Sequence, residues 1–506
     1  MPSSSPVSIV NLSFQYASAV EPLFDQLSTH FNPGFTGIVG ANGTGKTTLL
    51  QLVTGALLAD EGHIVLPESS VYCSQRTDDP PSVLEDFLFD DDPATYAVKS
   101  RLKLDASFLY RWDSLSHGER KRAQIACALW QKPELLALDE PTNHIDQDAR
   151  ATLLTELKQF NGIGLLVSHD RELLDALCSQ CLWLGETQPK LYEGGYSKAL
   201  AQRELDRISV FRSRQQVKKE TNRLHREVIQ RRDKAAISDK LRSKRGIAAK
   251  DHDTKSKKDL ARVSGKDGQA GKLMNQMSGR LAHAEEKLSS AAVEKQYETG
   301  IWLPGSCSSN SHLLHMAAGK LMLSEHHQLQ HPTLEIHATD HIAITGLNGT
   351  GKSTLIQRLL DKLTLPAERI VYLPQEITAE DSKEILHDIK SLNHEQLGQV
   401  MTIVSRLGSR PHRLLDSATP SPGELRKLLL AKGMTQSPYL IVMDEPTNHL
   451  DLPSIVALEA ALAECPCALL LVSHDQTLLN RLCDTHWQLT QTDRSKTKLV
   501  THYRPA

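Results

Sequence analysis

The chain has no run approaching the ~18–20 apolar residues that a membrane helix needs, which excludes a multi-spanning membrane protein. Aromatics are scarce at 5%. The eight cysteines, at 73, 127, 178, 181, 307, 465, 467 and 483, are too scattered across 506 residues for a disulfide framework. A reducing, cytoplasmic setting is expected. Cys178-x-x-Cys181 lacks the second ligand pair of a zinc site and lies in an apolar stretch, so both are expected to be core cysteines. Met1-Pro2-Ser3-Ser4-Ser5-Pro6 lacks the basic and apolar regions of a signal peptide, and no leader is expected. With 40% hydrophobic and 24% charged residues, the composition excludes a wholly disordered chain. The length calls for roughly two to four domains.

The net charge of −3 hides a segregation. Between Tyr196 and Gly300 stand 26 Lys and Arg against 14 Asp and Glu, a balance of +12, and the remainder carries −15. An acidic body with one basic segment points to a polyanion that meets that segment alone.

An internal repeat sets the architecture. Gly40-Ala-Asn-Gly-Thr-Gly-Lys46-Thr47 recurs as Gly346-Leu-Asn-Gly-Thr-Gly-Lys352-Ser353. Leu138-Asp139-Glu140-Pro-Thr-Asn-His144-Ile-Asp146 recurs as Met443-Asp444-Glu445-Pro-Thr-Asn-His449-Leu-Asp451, and Ser168-His169-Asp170 as Ser473-His474-Asp475. The offsets are 306, 305 and 305 residues. Three motifs in one order at one spacing make the chain a tandem duplication with an insert. The expected divisions are 1–195, 196–300 and 301–506. Short apolar runs such as Leu135-Leu-Ala-Leu138 and Leu440-Ile-Val-Met443 read as strands buried on both faces of a mostly parallel sheet, so an α/β fold is expected in each half.

G-x-x-x-x-G-K-[ST] after a strand is a P-loop. Its backbone N–H groups converge on phosphate oxygens, and the following helix aims its positive end at them. The expected ATP ligands are Gly40, Asn42, Gly43, Gly45, Lys46, Thr47 and Thr48, and in the second half Gly346, Asn348, Gly349, Gly351, Lys352, Ser353 and Thr354. Thr47 with Asp139, and Ser353 with Asp444, are expected to hold Mg²⁺. Glu140 and Glu445 would orient and deprotonate the attacking water, and His169 and His474 would hold that water and the γ-phosphate.

These residues carry a resemblance. Ser116-His117-Gly118-Glu119 lies 23 residues before Asp139, and Ser421-Pro422-Gly423-Glu424 lies 23 before Asp444. Both resemble the signature motif of the ATP-binding cassette (ABC) ATPases. Gln75 and Gln375 look like the Q-loop glutamines, which would join the Mg²⁺ site. Tyr16 looks like the aromatic that stacks on adenine, and no aromatic counterpart stands upstream of Gly346. The resemblance implies that Ser116, Gly118 and Glu119 close on the ATP held by Lys352. Ser421, Gly423 and Glu424 would close on the ATP held by Lys46. The pairing would be intramolecular, in a monomer. His117 and Pro422 depart from the usual glycine, and Pro420 from the usual leucine, so the two sites are expected to differ in rate.

The insert has no Gly or Pro from Tyr196 to Arg245, which predicts one long helix. Four glycines punctuate 246–271, which reads as a tip loop, and 272–299 again reads helical. With only Tyr196, Phe211 and Tyr297 as aromatics, phosphate contacts to structured RNA are expected rather than base stacking. Two cassettes joined by a long basic helical hairpin resemble the ABC-F family of translation factors. In that family the linker meets P-site tRNA and approaches the peptidyl-transferase centre, so the implied partner is the ribosome, both rRNA and P-site tRNA. Only 41 residues separate Gln75 from Ser116, and no basic tail follows His474. Both features look more like the bacterial antibiotic-resistance members than the housekeeping ones. The alternative is the energy subunit of a membrane transporter, which the cassettes alone do not distinguish but which has no use for a +12 insert. A DNA-repair ATPase would carry zinc modules or far longer coiled coils.

Overall fold

The computed structural model describes residues 6–17, 19–142, 145, 147–185, 189–242, 276–287, 307–324, 327–347, 349–409, 420–448, 450–493 and 496–503. The chain divides into two units, Met1–Ala199 with Tyr297–Ala506, and Leu200–Gln296.

In the first half of the larger unit, a six-stranded sheet runs in the order Ser70–Cys73, Leu135–Asp139, Ile163–Val167, Gly34–Val39, Cys178–Trp183, Lys190–Glu193. The first five are parallel and the last is antiparallel. Leu135–Asp139 and Ile163–Val167 are buried at every position, as strands covered on both faces must be. Register fixes the chemistry, because Asp139 pairs with Val167 and so the two strand ends lie side by side. The second half repeats this centre with Ile370–Leu373, Leu440–Asp444, Ala468–Val472, His341–Gly346 and Thr485–Asp493, all parallel.

The halves differ at their margins. Val7–Phe14, Phe24–Phe31 and Glu61–Val65 form a separate antiparallel sheet. In the second half Gly319–Ser324 and His327–His331 instead join the main sheet through Lys496–Tyr503, making eight strands. Cys178 and Cys181 are core residues as expected, at 6% and 0% exposure, and their sulfurs pack where a side chain on Gly37 would go.

A single helix, Tyr196–Arg242, runs for 47 residues, about 70 Å, and from Leu200 onward belongs to the smaller unit. Residues 276–287 are helical despite Gly279. The two helices meet where His225 Nε2 lies 2.8 Å from Glu285 Oε1, and Thr221, Leu224, Val228 and Met277 are buried. The expected tip loop at 246–271 lies outside the described residues, as do 243–245 and 288–299. Among the described residues no helix is long and apolar enough to cross a membrane.

The helix Pro422–Met434 seats Gly433 directly on the strand Ile370–Leu373, where an added Cβ would lie 2.4 Å from Val371 Cγ2. Gly433→Val is expected to destabilise the second half by about 1–3 kcal/mol. Denaturant unfolding of the purified chain checks this, and an unchanged midpoint would contradict the close seating.

Candidate functional site

Each P-loop follows the central strand of its sheet. The helices Lys46–Val53 and Lys352–Leu360 begin after Gly45 (φ 91°) and Gly351 (φ 93°), both in the left-handed region. A Cβ there would lie 2.7 Å from Phe24 Cζ and 2.2 Å from Leu323 Cδ1, so both backbone and space require glycine. At Gly43 and Gly349 (φ 78° each) nothing lies within 4 Å of where a Cβ would stand, which keeps that face of the loop clear for a ligand.

The two lysines fold onto their own loops. Lys46 Nζ donates to the Gly40 and Ala41 carbonyls at 3.0 and 2.9 Å, and Lys352 Nζ to those of Gly346 and Leu347 at 2.8 and 3.1 Å. Thr47 Oγ1 donates to Asp139 Oδ2 at 2.8 Å, and Ser353 Oγ to Asp444 Oδ2 at 2.6 Å. The structure thus pairs each hydroxyl with the carboxylate expected beside it, a hard oxygen donor set that suits Mg²⁺. Thr48 is buried and its hydroxyl lies 2.9 Å from the Tyr16 hydroxyl, with the Tyr16 ring edge-on to Phe14. Thr354 is half-buried on the second P-loop helix. Asn348 lies outside the described residues.

Glu140 and Glu445 take left-handed backbone (φ 48° and 51°) directly after their strands. Such a conformation costs about 1–3 kcal/mol in a residue with a side chain. It turns each amide onto the neighbouring strand end, where Glu140 N donates to Val167 O and Glu445 N to Val472 O, both at 2.8 Å. The carboxylates then meet the histidine loops. Glu140 Oε2 accepts from the His169 amide at 3.2 Å, and Glu445 Oε2 from that of His474 at 3.3 Å. The imidazole Nε2 atoms lie 3.1 and 3.4 Å from the other oxygens, Glu140 Oε1 and Glu445 Oε1. Among the described residues those buried oxygens receive no aligned hydrogen bond, so each site holds a carboxylate oxygen able to accept from a ligand.

Burial, with Asp139 alongside, pushes the Glu140 carboxyl up to about 8. Burial does the same for Glu445, again to about 8, against the pull of Lys352. Burial also raises Asp139 and Asp444, opposed first by the Thr47 and Ser353 hydrogen bonds.

The signature serines are exposed and cap helices. Ser116 precedes His117–Trp130 and Ser421 precedes Pro422–Met434, with the same cap geometry (φ −64°, ψ 156°). His117 and Pro422 therefore leave the cap unaltered. Glu119 and Glu424 close capping boxes, each accepting from the serine amide at 2.9 Å. Gly118 is half-buried and Gly423 buried.

Two residues that sequence reasoning missed tie these helices to the sites. Lys121 is 3% exposed and donates to the carbonyls of Ser74 at 2.6 Å and Asp139 at 3.1 Å. Arg426 is 2% exposed and donates to the carbonyls of Glu445 at 2.6 Å, Pro374 at 3.2 Å and Gln375. Each joins the loop carrying Gln75 or Gln375, both exposed, to the end of the Asp-Glu strand. The available signal was a basic residue five positions after each signature serine, 305 residues apart.

Polar contacts join the halves. Asn42 N donates to Asp451 Oδ2 at 2.6 Å. Glu459, 2% exposed, pairs with Arg171 of the first half at 2.5 Å and Arg481 of its own at 2.6 Å. A cavity of about 500 Å³ lies between them. Gly349, Gly351, Lys352, Ser353, Thr354, Gln375, Asp444, Glu445 and His474 line it from one side, and Thr142, Arg150, His169 and Glu172 from the other. Ser116, Gly118 and Glu119 are not among its lining residues.

The raised carboxyls give a pH signature. An unfolded chain ionises its glutamates near 4.5, whereas these hold their protons to about 8, so stability is lost as pH rises through that window. The double variant Glu140→Gln/Glu445→Gln removes the titration. Without nucleotide it should melt about 2–4 °C above wild type at pH 8. The two should converge near pH 4, and parallel melting curves across the range would refute the assignment.

The ABC transporter family matches residues 24–143 and 329–448, one stretch in each half. The chain is 27% identical over 498 residues to the ribosome protection protein VmlR of Bacillus subtilis (strain 168), spanning 94% of this chain and 85% of that protein. It is 28% identical over 561 residues to the tylosin resistance ATP-binding protein TlrC of Streptomyces fradiae, spanning 96% and 98%. Among solved structures it shares its fold with the RNase-L Inhibitor (TM-score 0.62, 18% identity), over 97% of this chain and 90% of that one. The likeness runs through both halves and across the segment between them: the chain holds two ABC transporter domains, and the relatives it resembles are ABC-F proteins.

Proposed function

We propose that the chain is an ATPase that engages the ribosome in its ATP-bound, closed state and leaves on hydrolysis. The observation that carries this is the balance of +12 between Tyr196 and Gly300, a segment that opens with the helix Tyr196–Arg242 and separates the two P-loop motifs in the sequence. A polyanion is the partner such a segment fits. The names of two relatives, a ribosome protection protein and a tylosin resistance protein, support folded ribosomal RNA as that polyanion and antibiotic protection as the role.

In this reading 1–195 and 301–506 are the cassettes, and 196–300 is the linker whose tip, 246–271, reaches P-site tRNA and the peptidyl-transferase centre. The backbone from Gly40 to Gly45 with Lys46, and from Gly346 to Gly351 with Lys352, binds the phosphates. Thr47, Asp139 and Gln75, and Ser353, Asp444 and Gln375, would hold Mg²⁺, which supplies charge neutralisation at the phosphates. Tyr16 stacks on adenine in the first site.

Glu140 and Glu445 take a proton from the attacking water, and a carboxyl balanced near neutral pH suits that exchange. His169 and His474 fix each carboxylate through the amide bond and steady the water. Ser116, Gly118 and Glu119 meet the Lys352 site on closure, and Ser421, Gly423 and Glu424 the Lys46 site. Lys121 and Arg426 act as positioning residues, because each grips the glutamine loop and the Asp-Glu strand from the signature helix. The contacts Asn42–Asp451 and Arg171–Glu459 support pairing of cassettes within one chain.

Glu140→Gln/Glu445→Gln is expected to trap the chain on ribosomes. Sedimentation with ATP across a salt series should show binding that falls steeply as salt rises. Binding indifferent to salt, or none, would defeat the electrostatic reading. The single variants, assayed for turnover, should lose activity unequally. Deleting 231–271 should abolish ribosome binding and preserve basal ATP hydrolysis.

A further inference from the structure

The loop joining the helix Leu452–Ala463 to the strand Ala468–Val472 carries Cys465-Pro466-Cys467. The two sulfurs lie 3.4 Å apart. Cys465 is half-buried, while Cys467 is 0% exposed. His341, the first residue of the strand His341–Gly346, completes the group. Its Nδ1 lies 2.9 Å from the Leu482 carbonyl, which only accepts, so that nitrogen carries a proton. The imidazole and the Cys465 thiol each shift the other's titration, the imidazole upward and the thiol downward. We propose that Cys465 and Cys467 form a hydroperoxide-reactive dithiol, in which Cys465 attacks and Cys467 resolves.

The environment separates Cys465 from the chain's other thiols. Burial pushes Cys73, Cys127, Cys181 and Cys483 up to about 12, which keeps them inert. At Cys465 the hydrogen bond from Cys467, aided by His341, outweighs burial and draws the thiol down to about 6. The same hydrogen bond and burial hold Cys467 in its protonated form. A half-buried sulfur drawn toward ionisation, beside a protonated one in near contact, is the arrangement that two-step oxidation needs.

The chemistry balances with a hydroperoxide as oxidant. The Cys465 thiolate attacks the terminal peroxide oxygen. An S–O bond forms, the O–O bond breaks, and the departing oxygen takes up a proton as water or an alcohol. Cys465 is oxidised by two electrons to the sulfenic acid. Cys467 then attacks the Cys465 sulfur. An S–S bond forms, the S–O bond breaks, and hydroxide leaves with the Cys467 proton as water. The sulfurs must close from 3.4 Å to about 2.0 Å, a movement of little more than 1 Å within a loop.

The site is independent of nucleotide chemistry. The strand His341–Gly346 carries the P-loop at its far end, and Ala468–Val472 leads to His474 at its far end. The dithiol sits at the opposite ends of both.

The full-length reduced chain tests this with hydrogen peroxide, followed by alkylation, trypsin and mass measurement. The peptide between Lys432 and Arg481 contains these two cysteines and no others. It should lose two hydrogens and refuse the alkylating agent. At pH 7 iodoacetamide should label Cys465 about ten-fold faster than the exposed Cys307. Cys467→Ser should stop the reaction at a sulfenic acid that dimedone captures, and His341→Gln should slow labelling of Cys465. Faster labelling of Cys307 in the wild-type chain overturns the proposal. So does a peroxide-treated chain whose Cys465 advances to sulfinic acid with no link to Cys467. Both of these readouts use the native protein, so failure of a variant to fold leaves the test intact.

Discussion

Carboxylates buried at the ends of strands covered on both faces are the constraint around which each half is built. Asp139 and Glu140, and Asp444 and Glu445, are all 2–5% exposed. Charge in that setting is costly unless groups nearby compensate it. Hence each hydroxyl of the P-loop turns to an aspartate, each lysine stands within Coulomb reach, and each glutamate borrows the amide of the histidine loop. The left-handed glutamate is part of the same solution. It keeps the amide bonded to the next strand while aiming the carboxylate out of the sheet.

The parts of this design visible in the sequence were those written twice. P-loop, Asp-Glu and His motifs recur at one spacing, and continuous apolar runs mark doubly covered strands, so the sequence places the sheets and their chemical ends. The long helix was legible because fifty residues without Gly or Pro have few other options. What escaped was tertiary. Nothing local marks Glu140 or Glu445 as left-handed, since glutamate has no preference for that region. Nothing in the local sequence distinguishes Lys121 and Arg426 from surface charges, and only the fold reveals that their heads reach buried carbonyls. Glu119 and Glu424 carried a local signal, Ser-x-x-Glu, that describes the capping box they form. The separate amino-terminal sheet of the first half, against the merged one of the second, depends on strand pairing that periodicity alone does not specify.

The duplicated halves have drifted where their surroundings differ. Tyr72 donates to Asp139 at 3.2 Å, whereas Tyr372 accepts from Gln357 at 3.3 Å. Lysine grips the glutamine loop in one half and arginine in the other, and the planar fork of arginine reaches more carbonyls. Both differences lie one shell out from the phosphate-binding residues, where they can change how each site responds to nucleotide without changing what it binds.

The ion cluster at Glu459 is the least symmetric element of all. The positions related by the 305-residue offset are Leu154 for Glu459 and Gln476 for Arg171, so the cluster exists once. A gene conversion that overwrote the second half with the first would set a leucine against Arg171. The reverse event would set a glutamine against Glu459. Either product would keep every motif for ATP and lose the ion pair that joins the halves, so a single carboxylate makes the two repeats non-interchangeable.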